Sequence, residues 1–230
     1  MNENMSLRGQ GGTFGTIVGR RRLMASGACS FLLIPLAARA NASSNVDVES
    51  WHLPRLAFTM TDADTGKTVT AHDFQGKLVL LYFGYTHCPD VCPLTLHNIA
   101  QILQRLGKNA ANVRTLFVTV DPNRDTLPVL HQYTHLFAPE IIGLRGTPDQ
   151  LATLARTYHI GYSVTPTTAS HPYEVTHSSA VYVFDETGRA RLLIPSLAST
   201  APDIAGTASD LEQIRHSETG GLLARVGHLL

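Results

Sequence analysis

The sequence predicts a three-layer α/β domain built on a central mixed β-sheet, and three observations carry that prediction. Apolar runs of strand length alternate along the chain with amphipathic segments of helix length. The densest run, residues 78–85, is continuously apolar, as a strand covered on both faces requires, and residues 113–120 read as a second buried strand. Two further short apolar runs flank a turn near the end of the domain, so the sheet combines parallel and antiparallel strands.

Each element follows from its own residues. Residues 56–60 and 67–71 flank the turn-rich Thr61-Asp62-Ala63-Asp64-Thr65-Gly66 and read as an opening hairpin. After the central strand at 78–85 comes a helix over about 93–106. At 100° per residue, Leu96, Ile99, Ile102, Leu103 and Leu106 form one stripe, with His97, Gln101, Gln104 and Arg105 opposite. The second buried strand, 113–120, precedes a helix over 128–137 with Val129, Leu130, Tyr133, Leu136 and Phe137 on one side. Residues 141–144 make a short third strand. Thr147-Pro148-Asp149-Gln150 combines capping-box spacing with proline at the first helical position, opening a helix that runs to about Tyr158. Beyond a loop at 166–172, residues 180–184 and 190–194 flank Asp185-Glu186-Thr187-Gly188 as a hairpin, and a closing helix is expected from near Ser209.

With 230 residues, 43% of them apolar, the chain can fill a single substantial core. Its 18 basic and 18 acidic residues balance, which leaves no electrostatic footprint for nucleic acid. Residues 1–40 read as an export signal or membrane anchor. Arg20, Arg21 and Arg22 precede an uncharged run at 23–38, and Ala38-Arg39-Ala40 offers small residues at signal-peptidase spacing. The run is shorter than the about 20 residues of a membrane span, which favours a cleaved signal. The Arg-Arg-x-Leu order at Arg20 to Leu23 also suits a twin-arginine signal, which leaves Sec and twin-arginine export both open. Cys29 lies too close to the arginines for a lipidation signal. Without residues 1–40 the chain keeps 13 basic and 17 acidic residues and the cysteines Cys88 and Cys92 alone. Residues 41–53 read as a linker and 54–230 as the folded domain, placed in the periplasm or at the outer face of the inner membrane.

The chemistry concentrates in His87-Cys88-Pro89-Asp90-Val91-Cys92-Pro93, where the buried strand hands over to a helix. Unpaired N–H groups and the helix dipole at such a junction favour the thiolate form. A separation of four places the sulfurs one turn apart, close enough for a disulfide or for one shared metal ion. Cys92 also falls on the apolar stripe of the helix, so simple packing would account for it, but not for Cys88. Two thiolates and an imidazole suit Cu(I) or Cu(II). Among the histidines, His131 and His135 have i, i+4 spacing that can hold zinc, yet they project away from their helix's apolar stripe with no third ligand evident, which reads as a solvated face. His97 also points outward, His216 and His228 lie in the tail, and His87 leaves the strand on the side opposite Cys88. His177 starts the strand that 180–184 continues and enters the sheet beside the cysteine junction. Spacing alone leaves metal binding and disulfide exchange both open.

Three motifs in order, Gly84-Tyr85-Thr86-His87-Cys88-Pro89-Asp90-Val91-Cys92-Pro93, Val120-Asp121-Pro122-Asn123-Arg124-Asp125-Thr126 and Thr176-His177-Ser178-Ser179, resemble those of the Sco/SenC family of copper-binding assembly proteins across about residues 54–195. The resemblance implies a thioredoxin-like fold and copper held by Cys88, Cys92 and His177. It implies delivery of that copper to the copper A subunit of cytochrome c oxidase, or preparation of that site by reducing its cysteines. Asp121 matches the family's acidic residue at the end of the next strand, an outer-shell group. Thr176 stands where many relatives carry Asp. Thioredoxin-type catalysts have a cis proline where this chain has His177-Ser178-Ser179, which favours a metal role. The enzymatic alternative is a thiol-disulfide oxidoreductase acting on partner cysteines, with Cys88 attacking, Cys92 resolving and a thiol reductant as further partner. A peroxidase is disfavoured because no arginine adjoins Cys88.

Overall fold

The computed structural model describes residues 45–168, 173–195 and 197–226. The leader expected at 1–40 lies outside the described residues. The elements run β1 (Val46–Asp47), β2 (Thr59–Asp62), β3 (Thr68–Thr70), β4 (Leu78–Gly84), α1 (Val91–Leu106), β5 (Val113–Thr119), α2 (Leu127–His135), β6 (Ile141–Arg145), α3 (Pro148–Thr157), β7 (Tyr162–Thr165), β8 (Glu174–His177), β9 (Val181–Phe184), β10 (Ala190–Ile194) and α4 (Ile204–Val226).

Eight strands form one mixed sheet in the order β1-β10-β9-β4-β5-β6-β2-β3. β4, β5 and β6 are parallel, whereas β9, β10 and β2 run against their neighbours. Every residue of β4 is buried, and its period of two divides the core. Leu78, Leu80 and Tyr82 pack with Leu96, Ile99 and Leu103 of α1 and Leu211 of α4. Val79, Leu81 and Phe83 pack with Leu151 and Leu154 of α3. At about 1.5–3 kcal/mol for each large apolar side chain buried, this strand anchors both outer layers. The continuous apolar run is thus the cause of the three-layer arrangement.

The helix starts follow local chemistry. Thr147 and Gln150 close a reciprocal capping box at α3, with Thr147 Oγ1 accepting from Gln150 N at 3.2 Å and Gln150 Oε1 accepting from Thr147 N at 2.8 Å. α4 begins five residues before the expected Ser209, because Asp203 Oδ1 accepts from Gly206 N at 2.8 Å and caps an earlier first turn. α2 stops at His135, leaving Leu136, expected on the apolar stripe, 78% exposed.

Two further departures concern strands. Within the segment read as a linker, Val46 and Asp47 pair with Leu193 and Leu192 of β10, and Val48 is buried. Residues 46–48 therefore pack onto the sheet within that stretch. β7 and β8 form a separate antiparallel ribbon, with Tyr162 opposite His177 and Thr165 opposite Glu174. His177 accordingly ends β8 instead of starting the strand that becomes β9.

Candidate metal centre

The sulfur pair sits where β4 gives way to α1, at the carboxyl end of the parallel strands. Cys88 N donates to the Tyr85 carbonyl at 3.3 Å, folding the connecting loop back toward the helix. The Cys88 sulfur accepts from Cys92 N at 3.4 Å. It thereby serves as a capping acceptor for a first-turn N–H, while Pro93 removes another donor from that turn. Asp90, the N-cap residue, makes no side-chain capping bond, so the sulfur takes that role. Cys92 is fully buried in the core on the α1 face, and Cys88 is half-buried beside it. Both thiols are free.

His177 arrives from the ribbon. Its Nε2 lies 3.2 Å from Cys92 Sγ, and its Nδ1 lies 2.9 Å from the Ser178 carbonyl. A carbonyl can only accept, so Nδ1 carries the proton and Nε2 turns its lone pair toward the sulfurs. Tyr85 and Tyr82 meet the imidazole edge-on, with ring centroids at 5.7 and 6.0 Å. Donor atoms of Cys88, Cys92 and His177 all lie within 4.8 Å of one another. This is the convergence that the motifs predicted for these residues.

Burial governs the protonation of this cluster. It pushes the Cys92 thiol up to about 12, only partly offset by the neighbouring Tyr82 hydroxyl and Tyr85 backbone. The expectation that the helix start would favour a thiolate is therefore overturned at Cys92, where desolvation outweighs the dipole. Burial also lowers the His177 pKa, against the opposing pull of its backbone partners. At neutral pH the imidazole is uncharged and ready to donate electrons.

Gly84 sets the depth at which the Cys92 sulfur can lie. A Cβ at that position would sit 2.5 Å from Phe117 Cε2 and 2.9 Å from Cys92 Sγ. Gly84→Ala is expected to destabilise the domain by about 1–3 kcal/mol through overpacking, read by denaturant unfolding. A variant as stable as the original would show that the packing relaxes freely.

Asp121 does not join the donor cluster. Fully buried, it pairs with Arg124 and accepts from the Tyr173 hydroxyl at 2.5 Å. Arg124 in turn lies over the Tyr173 ring at 4.2 Å and near the Tyr85 ring at 5.8 Å. Tyr173 immediately precedes β8, so this network ties the strand bearing His177 to the loop after β5. Asp125 was missed by sequence reasoning. Its buried carboxylate accepts from Thr86 N at 3.0 Å, Thr86 Oγ1 at 2.6 Å and Thr119 Oγ1 at 2.6 Å. It pins the start of the cysteine loop to β5. Its presence in the second motif was the one available signal. His87, half-exposed, lies 3.6 Å from Asp125 and outside the donor cluster, and His97 is exposed on α1.

A cleft of about 730 Å³ opens elsewhere, lined by residues that include Arg55, Phe58, Phe74 and Thr153, and neither cysteine nor His177 borders it. The thiol cluster thus presents donor atoms beside half-exposed Cys88 rather than within that cleft.

A family model described as SCO1/SenC matches residues 54–212. Protein SCO2 of Saccharomyces cerevisiae mitochondria is 36% identical over 161 residues, covering 69% of this chain and 52% of the relative. The bovine mitochondrial SCO2 homologue is 40% identical over 125 residues, covering 54% and 47%. The chain spans about half the length of these curated relatives. The structure of Bradyrhizobium japonicum ScoI with copper bound superposes with a TM-score of 0.61 at 36% identity, covering 70% of this chain and 98% of that one. The crystal structure of yeast Sco1 with copper bound gives 0.61 at 29% identity, covering 70% and 88%. The thioredoxin-like fold implied by the motifs is the fold found. Because the matched segment runs through β4, α1 and β8, and so carries both sulfurs and the imidazole, the chain belongs to the SCO1/SenC family.

Proposed function

We propose that the protein is a copper metallochaperone that holds one copper ion between Cys88, Cys92 and His177 and passes it on by ligand exchange. The observation that carries this reading is the convergence of two thiols and an unprotonated Nε2 within 4.8 Å, a donor set suited to copper. Copper-bound relatives of the same fold support it. Three protein donors leave a coordination position for an incoming ligand, and half-exposed Cys88 is where a partner's ligands would enter. The acceptor is the copper A subunit of cytochrome c oxidase, following the family resemblance, and Asp121 acts as an outer-shell group through Tyr173 and Arg124. Residues 1–40 would export or anchor the domain on the periplasmic side. No helix among the described residues is long and apolar enough to cross a membrane.

The test is titration of the reduced chain with Cu(I) against a competing chelator. One ion per chain is expected, with His177→Ala binding more weakly. Unchanged affinity in His177→Ala would remove the imidazole from the site.

Proton release gives a second test. Because the free Cys92 thiol is held protonated up to about 12, copper must displace that proton. Affinity should rise about tenfold per pH unit for each proton released, and the neutral imidazole adds no competing proton above its ordinary range. A flat affinity between pH 6 and 9 would contradict the assignment of Cys92 as a ligand.

Disulfide exchange on partner cysteines is the second reading, favoured by the pairing of half-exposed Cys88 with buried Cys92. That arrangement fits an attacking thiol and a resolving thiol. Trapping of a mixed disulfide by Cys92→Ser in metal-free protein supports it.

A further inference from the structure

Far from the thiols, α2 presents a second cluster. His131 and His135 stand one turn apart on its outer face, as their spacing predicted, but the third ligand judged absent from the sequence is supplied by the β2–β3 turn. Asp64 Oδ1 lies 3.0 Å from His131 Nδ1 and 3.7 Å from His135 Nδ1. The two imidazoles are 4.1 Å apart between centroids. One donor atom from each of the three lies within 4.8 Å of the other two.

The cluster is held by rigid elements. Leu130 and Thr134, on the inner face of α2, are fully buried. Asp62 Oδ1 accepts from Asp64 N at 2.6 Å and Thr65 N at 3.2 Å, fixing the turn. Ala63 N donates to the Gly143 carbonyl at 2.8 Å, joining that turn to β6. The hairpin turn lies toward the amino end of β6, because β2 runs antiparallel to it. Cys88 and Cys92 follow the carboxyl end of β4, parallel to β5 and β6, so the clusters occupy opposite ends of the sheet.

We propose that Asp64, His131 and His135 form a second, solvent-facing metal site that takes a divalent ion of the Zn²⁺ or Cu²⁺ type. Two imidazoles and a carboxylate are harder donors than the thiols and select the divalent ions that favour nitrogen and oxygen. Ligand bonds of about 2.0–2.1 Å at tetrahedral angles place donors about 3.3 Å apart. The side chains reach that spacing by small rotations, since all three are partly solvent-exposed at 45, 37 and 25% for His131, His135 and Asp64. His135 Nδ1 also lies 3.0 Å from the His131 carbonyl, a contact that the same ring rotation exchanges for the ion. Three protein ligands leave the fourth position to water.

The test uses Zn²⁺ as probe and the full chain with Cys88→Ser and Cys92→Ser, so that the thiols take no ion. Calorimetric titration should saturate at one Zn²⁺ per chain, and adding Asp64→Asn, His131→Ala and His135→Ala should abolish that step. A second measurement keeps both cysteines. Equilibrium dialysis of the reduced chain against Co²⁺ should lose one bound ion per chain in the double variant His131→Ala, His135→Ala, while sulfur-to-cobalt absorption stays unchanged. Zinc uptake that does not saturate, or that persists undiminished without the three residues, overturns the proposal.

Discussion

Cys92→Ser is expected to lower copper affinity by at least about a hundredfold, beyond the about 10–100-fold that loss of an outer partner of a ligand costs. The sulfur of Cys92 lies 3.2 Å from His177 Nε2. It lies at the floor of the site, under Gly84 and in the same buried cluster as Phe117. Serine is shorter, harder and far more reluctant to ionise, so it neither reaches the same point nor suits a soft ion. The hydroxyl is also buried where the thiol was tolerated, adding a modest loss of stability. Chelator competition reads the affinity and denaturant unfolding reads the stability. Affinity within a few-fold of the original protein would place copper elsewhere.

The second large effect falls on stability. Asp125→Ala is expected to destabilise the domain by about 3–5 kcal/mol, because hydrogen bonds to a buried charged acceptor contribute more than neutral ones and their donors are left unsatisfied. Three donors, Thr86 N, Thr86 Oγ1 and Thr119 Oγ1, lose their acceptor at once. Thr86 lies two residues before Cys88, so the copper-loaded protein should also release its ion faster. Asp125→Asn keeps two acceptor lone pairs and should recover part of the stability. A loss below 1 kcal/mol in Asp125→Ala would mean that water replaces the carboxylate.

The parts of this architecture legible in sequence are those in which one residue pattern decides one element. The run through Leu81 and Phe83 is apolar on both parities, which specifies burial on both faces, and β4 is buried throughout. The stripe of Leu96, Ile99 and Leu103 specified α1, and Thr147 with Gln150 specified the start of α3. The β7–β8 ribbon escaped because Tyr162–Thr165 has only half-buried and exposed positions and carries no core-facing period. β1 has two residues and no pattern at all. The candidate site divides in the same way. Cys88, Cys92 and His177 were legible through their motifs, although their approach across 85 residues is a product of the ribbon. Asp125 and Tyr173 act through tertiary contacts that no local spacing encodes. Asp64 was invisible as a partner for His131 and His135 because 67 residues separate it from the nearer histidine. The thiolate expected at Cys92 failed for an electrostatic reason. The helix dipole is a surface-scale effect, and the sulfur is buried.

The central claim is that two sulfurs and one imidazole nitrogen share a single copper ion. X-ray absorption spectroscopy of the reduced chain loaded with one equivalent of Cu(I) tests it most directly. The account predicts two sulfur scatterers and one imidazole, with the imidazole contribution lost in His177→Ala. A copper shell without sulfur, or an imidazole signal that survives that substitution, would contradict it.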